Sequence, residues 1–306
     1  MCKIIIFRIR GKEVLIMLPK EILIPKVPPL KIQGIKTKLV PFIAKSVKWD
    51  GNGTYFEPFM GSGVVGFNLE PDKAIFSDTN PYIIQFYQDI QSKKITSEIT
   101  RDYLERESIK LAETPEDKTS YYYEVRKRFN ETHDSLDFLF LQRSNFNGVM
   151  RFNSKGEYNV PFGRKPNRFQ KALITKIVNQ VAWLEKMMEG KDWKFVCMPF
   201  PEAFKMMKEN DFVYLDPPYI DRYDGYYDTW CQEYADLLAE LTQNGKAGYA
   251  FSMWYKNEYR TNSHLEKWNK GVMLTTEHFY HIGAKEKNRN QMIEALVVSK
   301  DNVSLK

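Results

Sequence analysis

From Gly53 onward the chain alternates short apolar runs with longer amphipathic ones. TYFEPF (54–59) reads as a strand entering a glycine turn, with a helix beginning near Gly63. KAIFSD (73–78) predicts a second strand closed by an acid, and NPYIIQFYQDI the helix after it. KFVCM (194–198), DFVYLD (211–216), AGYAFSM (247–253) and MIEALVV (292–298) predict further strands, most of them separated by helical patterns. ADLLAELTQ, stopped by Gly245, is the clearest of these helices. Strands alternating with helices predict an α/β fold, a doubly wound and mostly parallel sheet.

Residues 91–170 break that rhythm. They hold two charged helical segments (EITRDYLERESIKLAE and SYYYEVRKRFNE), an apolar helix (LDFLFLQ) and then RSNFNGVMRFNSKGEYNVPFGRKPNRF. MRFN, a Ser-Lys-Gly turn and EYNVPF have the pattern of a hairpin. The expected organisation is therefore an extension over 1–27, a core made of 28–90 and 171–306, and an inserted, mainly helical, hairpin-bearing recognition lobe over 91–170. The tyrosines of SYYYEV are expected to pack the helices. In the extension, Ile4 and Ile6 alternate like a strand and Met17 is a second candidate initiator.

Composition changes this picture in one place. At 306 residues, 43% hydrophobic and 27% charged, the chain has the make-up of an ordinary globular protein. Three cysteines (Cys2, Cys197, Cys231) form no C-x-x-C pair, and four scattered histidines predict no metal cluster, which fits a reducing cytoplasm. The apolar start is broken by Arg8, Arg10, Lys12 and Glu13, so no signal or membrane span is expected there. The net charge is +6, and between Arg143 and Lys171 seven basic residues face one acid, Glu157. The whole excess thus lies in 29 residues of the lobe and points to a polyanionic partner.

Gly61, Gly63 and Gly66 spell G-x-G-x-x-G, the mark of a backbone passing close to a ligand or a helix. Alone it fits a nicotinamide or flavin enzyme equally well. Gly66 is most economically a helix-packing position. Asp78, at the end of the second strand, suits ribose hydroxyls in either case. The second motif is Asp216-Pro217-Pro218-Tyr219, closing a buried strand. Two prolines stiffen the turn and remove N–H donors, leaving the Asp216 carboxylate and the Pro217 carbonyl as acceptors. Such a pair suits a planar amino group, and Tyr219 offers a face for a flat base. The plain alternative is a proline-rich turn after a core strand.

The pairing of the two motifs resembles the S-adenosylmethionine-dependent amino-methyltransferases of DNA. Glu57-Pro58-Phe59-Met60-Gly61-Ser62-Gly63 is similar to their cofactor motif, and the motif order resembles the Dam-like (D12, alpha-group) adenine-N6 family. Lys31 and Gly34-Ile35-Lys36 resemble the family's K-W-x-G-G-K segment, with Ile32 where an aromatic is common. RSNFNGVMRFNSKGEYNVPFGRK resembles its DNA-reading hairpin, and HIGAKEKNRNQMIEAL its closing loop and last strand. The likeness covers about residues 28–298.

The resemblance implies a Rossmann-like methyltransferase sheet, S-adenosyl-L-methionine as donor and an adenine flipped out of double-stranded DNA as acceptor, in a GATATC-like target. It implies catalytic roles for Asp216, Pro217, Pro218 and Tyr219, and cofactor contacts from Ile32, Lys36, Phe59, Gly61, Gly63, Asp78 and Asp216. DNA contacts would come from Lys31, Asn147, Arg151, Asn153, Lys155, Pro161 and Arg164. It further implies a cytoplasmic monomer without membrane attachment, functionally paired with a restriction endonuclease it does not stably bind. Cysteine chemistry of the cytosine-C5 kind is not expected, since no cysteine follows a proline. Cytosine-N4 methylation is the nearest alternative, with an RNA base or a protein glutamine as a more distant acceptor. A nicotinamide oxidoreductase would leave DPPY and the basic lobe without a role. A non-catalytic DNA-binding module would leave both motifs without one.

Overall fold

The computed structural model describes residues 6–9, 12–15, 17–219, 230–256, 258–259, 261–279 and 291–304. The loop HIGAKEKNRN (281–290), read from the sequence as part of the closing segment, lies outside the described residues. A short antiparallel hairpin, β1 (Ile6–Ile9) and β2 (Lys12–Leu15), comes first. An irregular segment then leads to helix α1 (Val40–Ser46).

Seven strands make the main sheet: β3 (Tyr55–Glu57), β4 (Lys73–Asp78), β5 (Asp192–Cys197), β6 (Phe212–Leu215), β7 (Gly248–Lys256), β8 (Gly271–Phe279) and β9 (Gln291–Ser299). Their order is β5-β4-β3-β6-β7-β9-β8. The first five are mutually parallel, and β9 runs antiparallel to both β7 and β8. The fold is thus a mixed α/β, mostly parallel, Rossmann-like sheet with helices around it. The sequence reading missed β8, whose GVMLTTEHF mixes polar and apolar positions at an exposed edge.

Strand periodicity sorts the core into two layers. Tyr55, Ala74, Phe76, Phe212 and Tyr214 point into one apolar cluster, and Phe56, Ile75, Val213 and Leu215 into the other. The first layer is covered by α1, α2 (Val64–Leu69), α3 (Pro81–Gln91) and α7 (Lys171–Met188). The second is covered by α8 (Phe200–Met206) and α9 (Gln232–Asn244). With both faces covered, the central strands β3 and β6 are buried at every residue, which explains the unbroken apolar run of β6. The order of winding reverses between these two parallel strands: β4 and β5 follow on one side, β7 on the other. A crevice opens at the carboxyl ends of strands at such a switch point.

Residues 91–170 contain α4 (Ser97–Ala112), α5 (Tyr121–Thr132) and α6 (Ser135–Ser144). Thr96, Ser120 and Asp134 cap them by accepting backbone N–H groups. Their apolar side chains continue the first layer: Tyr103, Leu104, Tyr122 and Phe138 belong to the same cluster as the sheet. Tyr122 is fully buried, donates to the Val160 carbonyl at 2.9 Å and stacks on Phe162. The expected hairpin is present as single bridges, Phe152 to Tyr158 and Asn145 to Phe162, without regular strands.

One ion network ties the three helices together. The Arg128 guanidinium donates to Asp137 Oδ2 at 2.7 Å and to Glu107 Oε2 at 3.1 Å. Tyr103 donates to Asp137 and Tyr121 to Glu107. Burial alone would raise Glu107, but hydrogen bonds from Tyr121, Arg106, Arg128 and Lys110 outweigh it and pull its pKa down to about 2. Both acids are only 2% exposed, so removing the arginine takes the ion-pair partner of buried Asp137 and one of the three cations around Glu107. Arg128→Ala is expected to lower the unfolding free energy by about 3 kcal/mol, read from the shift of a urea denaturation midpoint.

Candidate active site

The switch-point crevice is a cavity of about 560 Å³. Residues 32–36 line it, with the turn after β3 (57–62), Asp78–Asn80 after β4, 199–202 at the start of α8, and Tyr214 with 216–219 at the end of β6. Asp216, Pro217, Pro218 and Tyr219 all line it, as do Ile32, Lys36, Phe59, Gly61 and Asp78. Two strand-end motifs about 150 residues apart in sequence thus meet in one pocket because β3 and β6 are neighbours.

The glycine turn is held from below. Gly61 (φ +46) donates its N–H to Asp78 Oδ2 at 2.9 Å, and Asn80 donates to Oδ1 at 3.0 Å. Gly63 does not line the cavity; it starts α2 in the left-handed region (φ +69), with the Phe67 ring where a Cβ would lie. Gly66 is a close-approach position. A Cβ there would meet the Phe76 ring at 2.3 Å and Glu57 Oε2 at 2.6 Å. Its N–H donates to that same oxygen at 2.9 Å.

Asp216 is partly exposed to the cavity, and its Oδ1 pairs with Lys36 Nζ at 2.9 Å. Lys36 is 7% exposed, also donates to the Gly34 carbonyl at 3.2 Å and lies 5.5 Å from the Tyr219 ring centre. Burial raises the Tyr219 phenol above its ordinary value. Phe59 sits in an aromatic group, 5.5 Å from Phe200 and 5.4 Å edge-on from Trp230, with Tyr234 beyond.

None of the expected DNA residues lines the cavity, and they divide into three kinds. Asn147, Lys155, Pro161 and Arg164 are exposed. Arg151 and Asn153 are engaged within the hairpin: Arg151 Nε donates to Asn159 Oδ1 at 2.7 Å, and Asn153 Oδ1 accepts the Lys155 and Glu157 N–H groups. Those two therefore shape the hairpin in this state. Lys31 stands against Gly148, and its pKa is lowered by burial and by the nearby Arg168, Arg143 and Lys165. Asn80 on the cavity rim donates to Met150 Sδ at 3.1 Å, which joins the hairpin base to the pocket.

A model for D12 class N6 adenine-specific DNA methyltransferases matches residues 33–291. The chain belongs to that family. Among relatives of this D12-class chain, the type II methyltransferase M.FokI of Planomicrobium okeanokoites is 28% identical over 90% of the chain and 43% of its own length. M.MjaIII of Methanocaldococcus jannaschii is 32% identical over 63% of the chain and 68% of its length. A DNA adenine methylase of Haemophilus influenzae is 30% identical over 76% of the chain and 74% of its length. The chain spans less than half the length of M.FokI and of the modification methylase StsI.

Sequence reasoning missed several groups in the D12 pocket. Phe200 and Tyr234 enter from elements that carry no motif. Glu57 was read only as part of a motif, yet it is 3% exposed and accepts from the Tyr55 hydroxyl and the Gly66 N–H, both at 2.9 Å. An acid inside an apolar strand was the signal. Burial pushes Glu57 up to about 8 against those two hydrogen bonds, with Asp216 adding to the rise. The folded protein then holds a proton that the unfolded chain has released above about pH 4.5. That contribution is complete below pH 4.5 and lost as pH rises to 8. Between pH 5.5 and 8.5 the Tm of the wild type is expected to fall about 4 °C further than that of Glu57→Gln. Parallel melting curves would exclude Glu57 as the group.

Proposed function

We propose that this chain methylates N6 of an adenine in double-stranded DNA, using S-adenosyl-L-methionine, within a restriction–modification system. Family membership supports the reaction class, and the meeting of Asp216 with the glycine turn in one cavity carries the reading. The pocket's donor and acceptor set fits the proposed methyl donor. Asp78 suits a ribose, the Phe59–Phe200–Trp230 group suits an adenine ring, and Asp216 suits a positively charged group; a bound cation would also favour the charged form of Glu57, which is otherwise protonated near neutrality. Ile32, Lys36, Gly61 and Asp78 complete the binding residues in this reading, and Gly63 acts by setting the turn.

The donor supplies an electrophilic methyl group. Bound here, the donor would give up its methyl to the target nitrogen and leave as a neutral thioether, and the proton lost from that nitrogen would pass to solvent. Asp216 and the Pro217 carbonyl accept the amino hydrogens and so aim the nitrogen lone pair. Pro218, lacking an N–H, keeps that corner free of donors. Tyr219 supplies a face for the flipped base, whose extraction costs a few kcal/mol. Positioning and electrostatics carry the rate, with no enzyme nucleophile.

In this reading residues 28–90 and 171–306 form the methyltransferase core and 91–170 the target-recognition domain. Lys31, Asn147, Lys155, Pro161 and Arg164 meet the duplex, while Arg151 and Asn153 hold the reading hairpin or release their bonds to reach it. The target is GATATC-like. The protein works as a cytoplasmic monomer, paired in function with an endonuclease it does not stably bind. Among the described residues no helix is long and apolar enough to cross a membrane.

Incubation with labelled S-adenosylmethionine and duplex DNA, followed by nucleoside analysis, should yield N6-methyladenine. N4-methylcytosine, or no label on DNA, overturns the assignment. Asp216→Ala should lower turnover at least about 100-fold with DNA affinity within a few-fold. The double variant Lys155→Ala, Arg164→Ala should reduce the slope of log K against log salt by about 2, measured by anisotropy titrations. An unchanged slope removes both residues from the DNA face.

A further inference from the structure

We propose that Tyr214 and Ser252 form a two-hydroxyl chain that sets the rotamer of Asp216, and that both are positioning residues for methyl transfer. The proposal rests on the role given to Asp216 under Proposed function. Tyr214 lies on β6 and Ser252 on the parallel neighbour β7, where Tyr214 pairs with Ala250 and Leu215 with Phe251. Their oxygens are 2.8 Å apart, and Ser252 Oγ donates to Asp216 Oδ1 at 3.2 Å.

The direction of the chain follows from counting hydrogens. A serine hydroxyl has one, and here it goes to the carboxylate. Tyr214 must therefore be the donor to Ser252. Both residues are almost completely buried, at 1% and 2% exposure, so neither hydroxyl has water as an alternative partner. Burial also holds the Tyr214 phenol well above its ordinary value, with the Asp216 charge adding to that effect, and the phenol keeps its proton.

Asp216 Oδ1 is thus approached from two sides, by Lys36 Nζ from residues 32–36 and by Ser252 from the sheet. The two supports differ in stiffness. Lys36 reaches through a flexible four-carbon stem, whereas Ser252 and Tyr214 are fixed by two paired strands. The lysine balances charge and the hydroxyl chain fixes the plane of the carboxylate. With Oδ1 engaged twice, Oδ2 carries the acceptor capacity that an amino substrate needs. A carboxylate free to rotate would bind the same substrate and align it in fewer encounters, so the chain acts on rate more than on affinity.

The test uses the full chain and the variants Ser252→Ala and Tyr214→Phe, each of which removes one hydroxyl and little else. Single-turnover methyl transfer at saturating DNA and S-adenosylmethionine should slow about 10-fold in Ser252→Ala and about 3-fold in Tyr214→Phe. The double variant should be no slower than Ser252→Ala, because Tyr214 acts only through the serine. The Kd for S-adenosylmethionine and the KM for DNA should stay within about twofold. Tyr214→Phe is nearly isosteric and keeps the test open if Ser252→Ala folds poorly. A Ser252→Ala rate within twofold of wild type overturns the chain, as do multiplicative losses in the double variant or a loss confined to cofactor affinity. Wild-type protein that labels no adenine overturns the functional reading as well, which separates the two failures.

Discussion

The structure turns on the burial of acids at the carboxyl ends of two adjacent parallel strands. Glu57 ends β3 and Asp216 follows β6, and both line one crevice, Glu57 buried and Asp216 partly exposed. Water-poor surroundings make negative charge expensive unless something positive or a hydrogen bond compensates it. Asp216 is compensated by Lys36 and by a serine; Glu57 is held by one hydroxyl and one amide and keeps its proton near neutrality. A cation entering this pocket would favour the ionised form of Glu57, so its binding and the loss of that proton are linked. That linkage joins the glycine turn, the acid after β4 and the proline turn into one device.

The block between α3 and α7 serves that device by resting on the same core. Its helices extend one apolar layer of the sheet, and Arg128 with its two acids locks them to each other. The contact of Asn80 with Met150 and the packing of Lys31 on Gly148 bring the hairpin base to the rim of the cavity. Positive charge that the sequence concentrates in 29 residues is thereby delivered beside the pocket.

Much of this was legible in the residues. KAIFSD is bounded as a strand by its own alternation and closing acid, and β4 covers those six residues. FVYL reads as a buried strand because helices cover both sides of the sheet. The edge strand β8 was not legible, since one exposed side lets polar residues interrupt the run. Arg151 and Asn153 looked like reaching side chains, but hydrogen bonds to Asn159 and Glu157 fold them back into the hairpin. A partner eight or four residues away is invisible to motif reading when the chain between them is irregular. Ser252 was hidden for a different reason: it is one small polar residue in an apolar strand, and only the alignment of β7 with β6 brings it to Asp216.

The hairpin's irregularity has an evolutionary meaning. A ladder of backbone bonds would make every tip residue answer to its neighbours across the strand. Here asparagine side chains at 130, 153 and 159 share the fastening with a few cross-strand backbone bonds, such as Asn153 N–H to Glu157 O and Asn159 N–H to Arg151 O. Exposed tip residues such as Ser154 and Lys155 can therefore change more freely than Asn153, which fastens the turn, or Gly66, wedged between a ring and a carboxylate. Under the proposed function, substitutions at the exposed tip would change DNA contacts and leave the cavity residues untouched.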